Sequence, residues 1–265
     1  MTLTEVRHLL VELDLRPSKA LGQNFLIDGN ILEIITREAD IRSQETVLEI
    51  GPGLGALTHK LTDRAGTVIA VEKDTRLAEY IRQKYPEVQL ITGDAVKVPL
   101  PVCDKVVANL PYSISTAILE RFVEGEAPPR RLVLTVQREV GQRLAAKPRH
   151  KDYGALTLFT QLRYHVTIVH VVSPKCFFPA PNVESAIIAL DRRDPPVKLE
   201  PGAPFHELVR LGFQQRRKML RKLLGNHDLV DTVLQSLGLP VTARAEELSL
   251  EQWIILANHH RPAAA

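Results

Sequence analysis

The chain has little that would tie it to a membrane, a metal ion or an oxidising compartment. Its 265 residues contain no apolar run approaching the roughly 20 that a membrane-spanning helix needs. The two cysteines, Cys103 and Cys176, fit no metal-ligand spacing, and the nine histidines are scattered. Neither a disulfide framework nor a structural zinc is therefore expected, and no metal site is expected. Met1-Thr2-Leu3-Thr4-Glu5 lacks the basic start and apolar core of a secretory signal, so a cytoplasmic protein is expected. There is no internal repeat and no low-complexity tract. Net charge is only +3, which does not by itself make a nucleic-acid-binding surface; where the positive charge clusters matters more. What remains, 45% hydrophobic and 25% charged residues, is ordinary for a soluble globular protein. The length has room for one large domain and a small one.

The first two-thirds of the chain alternates helical periodicity with short runs of β-branched residues, the pattern of an α/β fold. Leu3 to Leu15 reads as an amphipathic helix, and Asp28 as the N-cap of a helix over Ile31–Ala39. Strands are predicted at Thr46–Ile50, Val68–Glu72, Val88–Ala95, around Val106–Ala108, Leu132–Val136, Val166–Val172 and Ser185–Leu190. The first runs straight into Gly51-Pro52-Gly53-Leu54-Gly55, and a helix starts near Ala56. Such a glycine turn lets backbone N–H groups approach a ligand without Cβ interference. The second strand ends in Glu72, followed by Lys73, about 20 residues further on. A carboxylate there can accept both hydroxyls of a ribose. Gly51, Gly53 and Ala56 also satisfy a loose dinucleotide fingerprint, so NAD stays open at this point.

The most informative stretch is Val106-Val107-Ala108-Asn109-Leu110-Pro111-Tyr112. A buried strand meets an amide, a proline and a ring, and the residue before Pro111 is pushed out of helix, so the chain leaves the sheet there. Ligands of open α/β sheets lie beyond the carboxyl ends of the strands. An amide acceptor, the carbonyls of Leu110 and Pro111, and the Tyr112 ring suit a planar base with an exocyclic amine.

Asn109-Leu110-Pro111-Tyr112 resembles the Asp/Asn-x-Pro-Tyr tetrad of methyltransferases that act on exocyclic amino groups of nucleobases. Further matches narrow the resemblance to the ribosomal RNA adenine N6,N6-dimethyltransferase family, and to its small-subunit branch. They are Lys19-x-x-Gly22-Gln23-Asn24-Phe25-Leu26, the Glu49-x-Gly51-x-Gly53-x-Gly55 turn, Gly93-Asp94-Ala95, Gln137-Arg138-Glu139-Val140-x-x-Arg143, Phe177-x-Pro179-x-Pro181-x-Val183-x-Ser185 and Arg216-Arg217-Lys218-x-Leu220. The resemblance covers nearly the whole chain. It implies a Rossmann-like class I methyltransferase domain, followed by a small all-α domain, using S-adenosyl-L-methionine. Gln23, Asn24 and Leu26 would touch the methionine end of that cofactor, with Gly51, Gly53, Gly55, Glu72, Lys73 and Asn109 among its other contacts. Asp94 would read its adenine amine and Ala95 would pack on the ring. Phe177 would stack on the target base opposite Tyr112, with Phe178 as second choice. The substrate would be small-subunit (16S) ribosomal RNA or a 30S precursor particle, and the enzyme a monomer.

Arg192-Arg193-Asp194-Pro195-Pro196 and Pro201-Gly202-Ala203-Pro204 bracket a linker, giving a catalytic domain over 1–191, a linker over 192–204 and a helical RNA-contacting domain over 205–265. In the last part a helix is predicted to run through Gln214–Leu224, with Arg217, Lys218, Arg221 and Lys222 on one side as a phosphate-gripping face. Arg149, Lys151 and Tyr153 form a basic, aromatic loop that could border the RNA. Four rival readings stand beside this one. A large-subunit resistance enzyme shares the opening stretch, and a DNA adenine methyltransferase would normally add a target-recognition domain. A ribosome-assembly factor that binds RNA without catalysis would not need an intact tetrad, Glu72 and Asp94. An NAD-linked oxidoreductase leaves the tetrad and Phe177 unexplained.

Overall fold

The computed structural model describes residues 1–18 and 21–260. Lys19, which opens the Lys-x-x-Gly-Gln-Asn-Phe-Leu stretch, and the end of the expected small domain at 261–265 lie outside the described residues. The chain divides into two compact units, Met1–Gly141 with Val166–Arg192, and Gln142–His165 with Arg193 onward.

The first unit is built on a seven-stranded sheet: β1 (Thr46–Ile50), β2 (Thr67–Glu72), β3 (Gln89–Thr92), β4 (Lys105–Asn109), β5 (Arg131–Gln137), β6 (Tyr164–Val172) and β7 (Ser185–Arg192). Their order is β3-β2-β1-β4-β5-β7-β6. The first five are parallel, and β7 runs antiparallel to β5 from Arg131↔Asp191 to Gln137↔Ser185. A parallel sheet covered on both faces demands unbroken apolar runs. Val47, Leu48, Ile50, Val106, Val107, Ala108 and Leu132–Leu134 are accordingly all buried.

Helix α1 (Leu3–Glu12) starts at a Thr2 capping box with Glu5 and buries Val6 and Leu10. It stops three residues short of the expected Leu15, because Asp14 turns left-handed (φ 47°) and the Leu15 N–H folds back to the Leu10 carbonyl at 2.8 Å. Leu15 is thereby still buried, beside Phe25, Leu54 and Leu77. Helix α2 (Gly29–Ala39) is capped by Asp28 as expected and presses Ile31, Leu32, Ile35 and Ala39 onto the sheet. Then follow α3 (Ala56–Thr62), α4 (Thr75–Lys84), α5 (Ser115–Glu124) and α6 (Arg138–Leu144). At the amino ends of the strands Lys105 is fully buried. Its ammonium donates to the Ala39 carbonyl at 2.8 Å and to that of Asp40, and pairs with Glu45 at 3.0 Å. One charge thus satisfies orphan carbonyls at the end of α2 and ties that helix to β4.

The second unit holds α7 (Ala155–Arg163), α8 (Phe205–Gln214), α9 (Leu220–Leu224), α10 (His227–Ser236) and α11 (Leu250–His259). Residues 142–165, which sequence analysis groups with the catalytic domain, pack here instead. The Tyr153 hydroxyl donates to the Leu248 carbonyl at 2.9 Å, and the Arg149 N–H to that of Glu246 at 2.7 Å. The expected continuous basic helix is broken. The chain turns at Gln215–Lys218, Met219 forms a bridge with Arg244, and the Leu220 N–H donates to the Ala243 carbonyl at 2.9 Å. These long-range bonds replace the i−4 carbonyls that a helix would have used. Arg217 and Lys218 therefore lie on a turn, and Arg221 and Lys222 on the five-residue α9.

Candidate active site

The chain leaves β1, β2, β3 and β4 at the same edge of the sheet, and the four exits line one cavity within the first unit. At the first exit Gly51, Gly53 and Gly55 have φ of 70°, 58° and 81°, a region that side chains with a Cβ resist. The Gly53 N–H donates to Glu72 Oε2 at 3.1 Å, fastening the turn to the end of β2. Gly51 and Gly53 line the cavity; Gly55 does not. A Cβ on Gly55 would fall 2.6 Å from the Tyr85 ring, so this glycine serves the packing of α3 on α4 rather than the expected cofactor contact.

Glu72 is 7% exposed. Its Oε1 accepts the Asp74 N–H at 2.9 Å, and each oxygen keeps a lone pair for another donor. Burial raises its pKa, against the pull of the Asp74 and Gly53 N–H groups. Glu49, which sequence analysis used only to weigh one cofactor against another, is fully buried in the cavity wall, and its Oε2 has no hydrogen-bond partner. Burial pushes this acid to about 8, and the charge of Glu72 adds to the shift. The signal that could have found it is a lone charge inside the apolar run of β1. Asp94 takes the Val96 N–H on Oδ1 at 3.0 Å and the Lys73 ammonium on Oδ2 at 3.0 Å, which holds it below the usual carboxylate range. Ala95 is buried beside it in the wall.

The opening stretch crosses the same cavity. Gln23 Oε1 accepts the Ser18 N–H at 2.8 Å, its Nε2 donates to Asp74 Oδ2 at 3.4 Å, and the Asn24 amide donates to the Gly22 carbonyl at 3.2 Å. Leu26 is buried in the wall, and so is Phe25, which sequence analysis passed over.

At the β4 exit, Asn109 Nδ2 donates to the Asn24 backbone carbonyl at 3.0 Å. That bond fixes the flip of the amide and leaves Oδ1 as a free acceptor among the described residues. The Leu110 N–H stays with the sheet, donating to Thr135 at 3.2 Å, while the Pro111 carbonyl is taken by the Ile114 N–H at 3.1 Å. Of the two expected backbone acceptors, Leu110 O is the one left open. The Tyr112 ring lines the cavity, and its hydroxyl shares a hydrogen bond with Ser185 Oγ, 2.5 Å between oxygens.

Phe177 does not face Tyr112. It is 3% exposed, pairs with Leu26 in a two-residue antiparallel ladder, and packs into the core beside Ile31 and Val172. Strand alternation sends its neighbour the other way. Phe178 is half-buried against the cluster around α1, with the Arg7 guanidinium 5.5 Å from its ring centre. The expected sandwich of Tyr112 and Phe177 is therefore corrected: neither phenylalanine lines the cavity.

The expected RNA contacts all fall in the second unit. Arg149, Lys151, Arg217, Lys218 and Lys222 are exposed. Arg221 is engaged with Asp231 at 3.1 Å, which removes it from a free phosphate-gripping set. Among the described residues there is no metal-binding cluster, and no helix is long and apolar enough to cross a membrane.

The family model described as ribosomal RNA adenine dimethylase matches residues 15–260. The ribosomal RNA small subunit methyltransferase A of Bacillus mycoides (strain KBAB4) is 41% identical over 262 residues, covering 91% of this chain and 90% of its own. That of Bacillus cereus (strain B4264) is similar to the same extent. Among solved structures, a dimethyladenosine transferase from Plasmodium falciparum superposes with a TM-score of 0.77 at 27% identity, over 88% of this chain and 95% of that one. The 23S rRNA methyltransferase ErmE gives 0.72 at 30% identity, over 89% and 99%.

Proposed function

The chain belongs to the ribosomal RNA adenine dimethylase family, and from that premise we propose that it dimethylates the N6 amines of adjacent adenosines in small-subunit ribosomal RNA. The family implies S-adenosylmethionine as methyl donor, which when bound supplies an electrophilic methyl on a sulfonium. The residues present fit it. Glu72 offers two buried carboxylate oxygens for a ribose diol, and Asp94 with Ala95 offers an acceptor and a flat apolar wall for an adenine. Gly51 and Gly53 bring main chain close without side chains. Asn24 lies beside Asn109, Gln23 and Leu26 line the same cavity, and the buried Oε2 of Glu49 is without a partner in its wall.

The observation that carries the reading is the commitment of Asn109 Nδ2 to Asn24, which leaves Oδ1 as the free acceptor of a side chain that lines the cavity together with Leu110. The N6 amine of adenine is a weak nucleophile because its lone pair is delocalised into the ring. Asn109 Oδ1 and Leu110 O accept its two N–H bonds, favour a pyramidal nitrogen, and stabilise the positive charge that develops there. With the donor bound, the nitrogen would take its methyl as sulfur kept the carbon–sulfur electron pair, and the excess proton would leave to water. No side chain has to act as general base. After the first transfer one N–H remains, and either acceptor suffices for it. Tyr112 stacks on the base once it has left its helix.

The relatives named for the small subunit are 41% identical, against 30% for the 23S enzyme, which supports the small-subunit branch. Arg149, Lys151, Arg217, Lys218 and Lys222 would hold RNA phosphates, the particle bound would be a 30S precursor, and the enzyme would work as a cytoplasmic monomer. The test is transfer of labelled methyl from S-adenosylmethionine to immature small subunits lacking the modification, followed by mapping. Dimethyladenosine at two adjacent positions is expected. Label confined to large-subunit RNA would move the enzyme to the other branch, and tight binding without label would make it an assembly factor.

A further inference from the structure

Ser185 closes the Pro-x-Pro stretch, and the reaction as written gives it nothing to do. It is fully buried, and the sheet fixes its position: it is the first residue of β7, paired with Gln137 at the end of β5. The Arg138 N–H donates to the carbonyl of the preceding Glu184 at 3.0 Å, and the Arg138 guanidinium reaches the Glu184 carboxylate at 2.5 Å. Tyr112, by contrast, stands on a single 3-10 turn, Tyr112–Ile114, with the Ser115 hydroxyl donating back to its carbonyl at 3.1 Å. Its backbone is anchored, but nothing in that turn sets the tilt of the ring. Its phenol, at the far end of the ring, shares a hydrogen bond with Ser185 Oγ.

We propose that Ser185 is a positioning residue for methyl transfer: it holds the Tyr112 ring at the tilt against which the target adenine stacks. The Pro-x-Pro stretch then serves the base through its terminal serine, while Phe177 stays in the core. The inference rests on the proposed function, since it presumes that a base stacks on Tyr112. The bond lies at the far end of the ring from the backbone. Its loss lets the ring pivot, and the base with it, away from in-line attack, a displacement to which transfer rates are steeply sensitive.

The test uses Ser185→Ala, Tyr112→Phe and the double variant in the full-length chain, with immature small subunits and labelled S-adenosylmethionine. Tyr112→Phe removes the same hydrogen bond from a residue outside the core and keeps the ring. Each single variant is expected to lower kcat about five- to tenfold, with cofactor Kd changed less than twofold. The double variant should be no slower than the worse single, because both remove one bond. An RNA carrying 2-aminopurine at the target position gives a second reading. Stacking on a correctly held ring quenches its fluorescence, and both variants should lose part of that quench at saturating RNA. Unchanged kcat and quench in Tyr112→Phe would overturn the proposal, as would multiplicative losses in the double variant. If the unsubstituted protein transfers no methyl to these subunits, the proposed function has failed rather than this inference.

Discussion

Asn109→Asp separates two expectations that charge alone would confuse. A carboxylate accepts from an N6 amine more strongly than an amide does and would better stabilise the positive charge developing on nitrogen. On that ground Asp should be faster. The structure says otherwise, because Asn109 Nδ2 donates to the Asn24 carbonyl at 3.0 Å. In Asp an oxygen takes that place, and a rotation of the side chain by 180° only exchanges it for another oxygen. The Asn24 carbonyl loses its donor, and leaving a part-buried acceptor unpaired costs about 1–3 kcal/mol. Repulsion between the two oxygens adds to this and drives the side chain or the opening stretch away. A misdirected acceptor and a displaced Gln23–Leu26 segment together should lower single-turnover methyl transfer by roughly ten- to a hundredfold, about 1.4–2.7 kcal/mol of lost positioning. The assay is single-turnover transfer at saturating S-adenosylmethionine, with thermal melts alongside. Asn109→Asp at or above the unsubstituted rate with an unchanged Tm would refute the reasoning.

Other predictions follow from the same contacts. Glu49 titrates from about 8 in the folded protein, above the 4.5 of an unperturbed Glu, so the folded state holds the extra proton and stability falls as pH rises between these values. Glu49→Gln should therefore gain on the unsubstituted apo protein by several kcal/mol, read by urea melts, between pH 5 and pH 8; a constant gap would contradict the burial argument. Lys105→Met leaves the last carbonyls of α2 without their donor and the buried Glu45 with Arg130 as its remaining cation, and should cost about 1–3 kcal/mol in urea unfolding. A loss below about 1 kcal/mol would show that these contacts matter little. Lys218→Ala and Lys222→Ala should each reduce the slope of log K against log salt for RNA binding by about 1. Arg221→Ala should lower Tm instead, through its lost Asp231 partner; equal effects of all three on the slope would restore Arg221 to the RNA-gripping set.

What the sequence made legible was local. The strand runs, the glycine turn, the Asp28 cap and the bend after β4 are written in neighbouring residues: apolar continuity, left-handed glycines, a proline that ejects the chain from the sheet. The cavity at their shared edge follows from parallel pairing. What the sequence hid was non-local. Nothing near Phe177 reveals that it pairs with Leu26, 151 positions earlier in the chain, and that pairing turns the ring inward. The break in the basic helix is made by Arg244 and Ala243, over 20 residues away from the turn. The fate of Gly55 depends on Tyr85, and the use of Ser185 on Tyr112. Motif spacing singles these residues out but does not say what they touch.

The most direct measurement is a structure of the protein with S-adenosylhomocysteine and a short RNA whose target adenosine has flipped out. The adenine N6 is expected within hydrogen-bond distance of both Asn109 Oδ1 and Leu110 O, its ring on Tyr112, with Glu72 on the cofactor ribose. An adenine lodged against Phe178, or an Asn109 amide turned so that Nδ2 meets the base, would contradict the account.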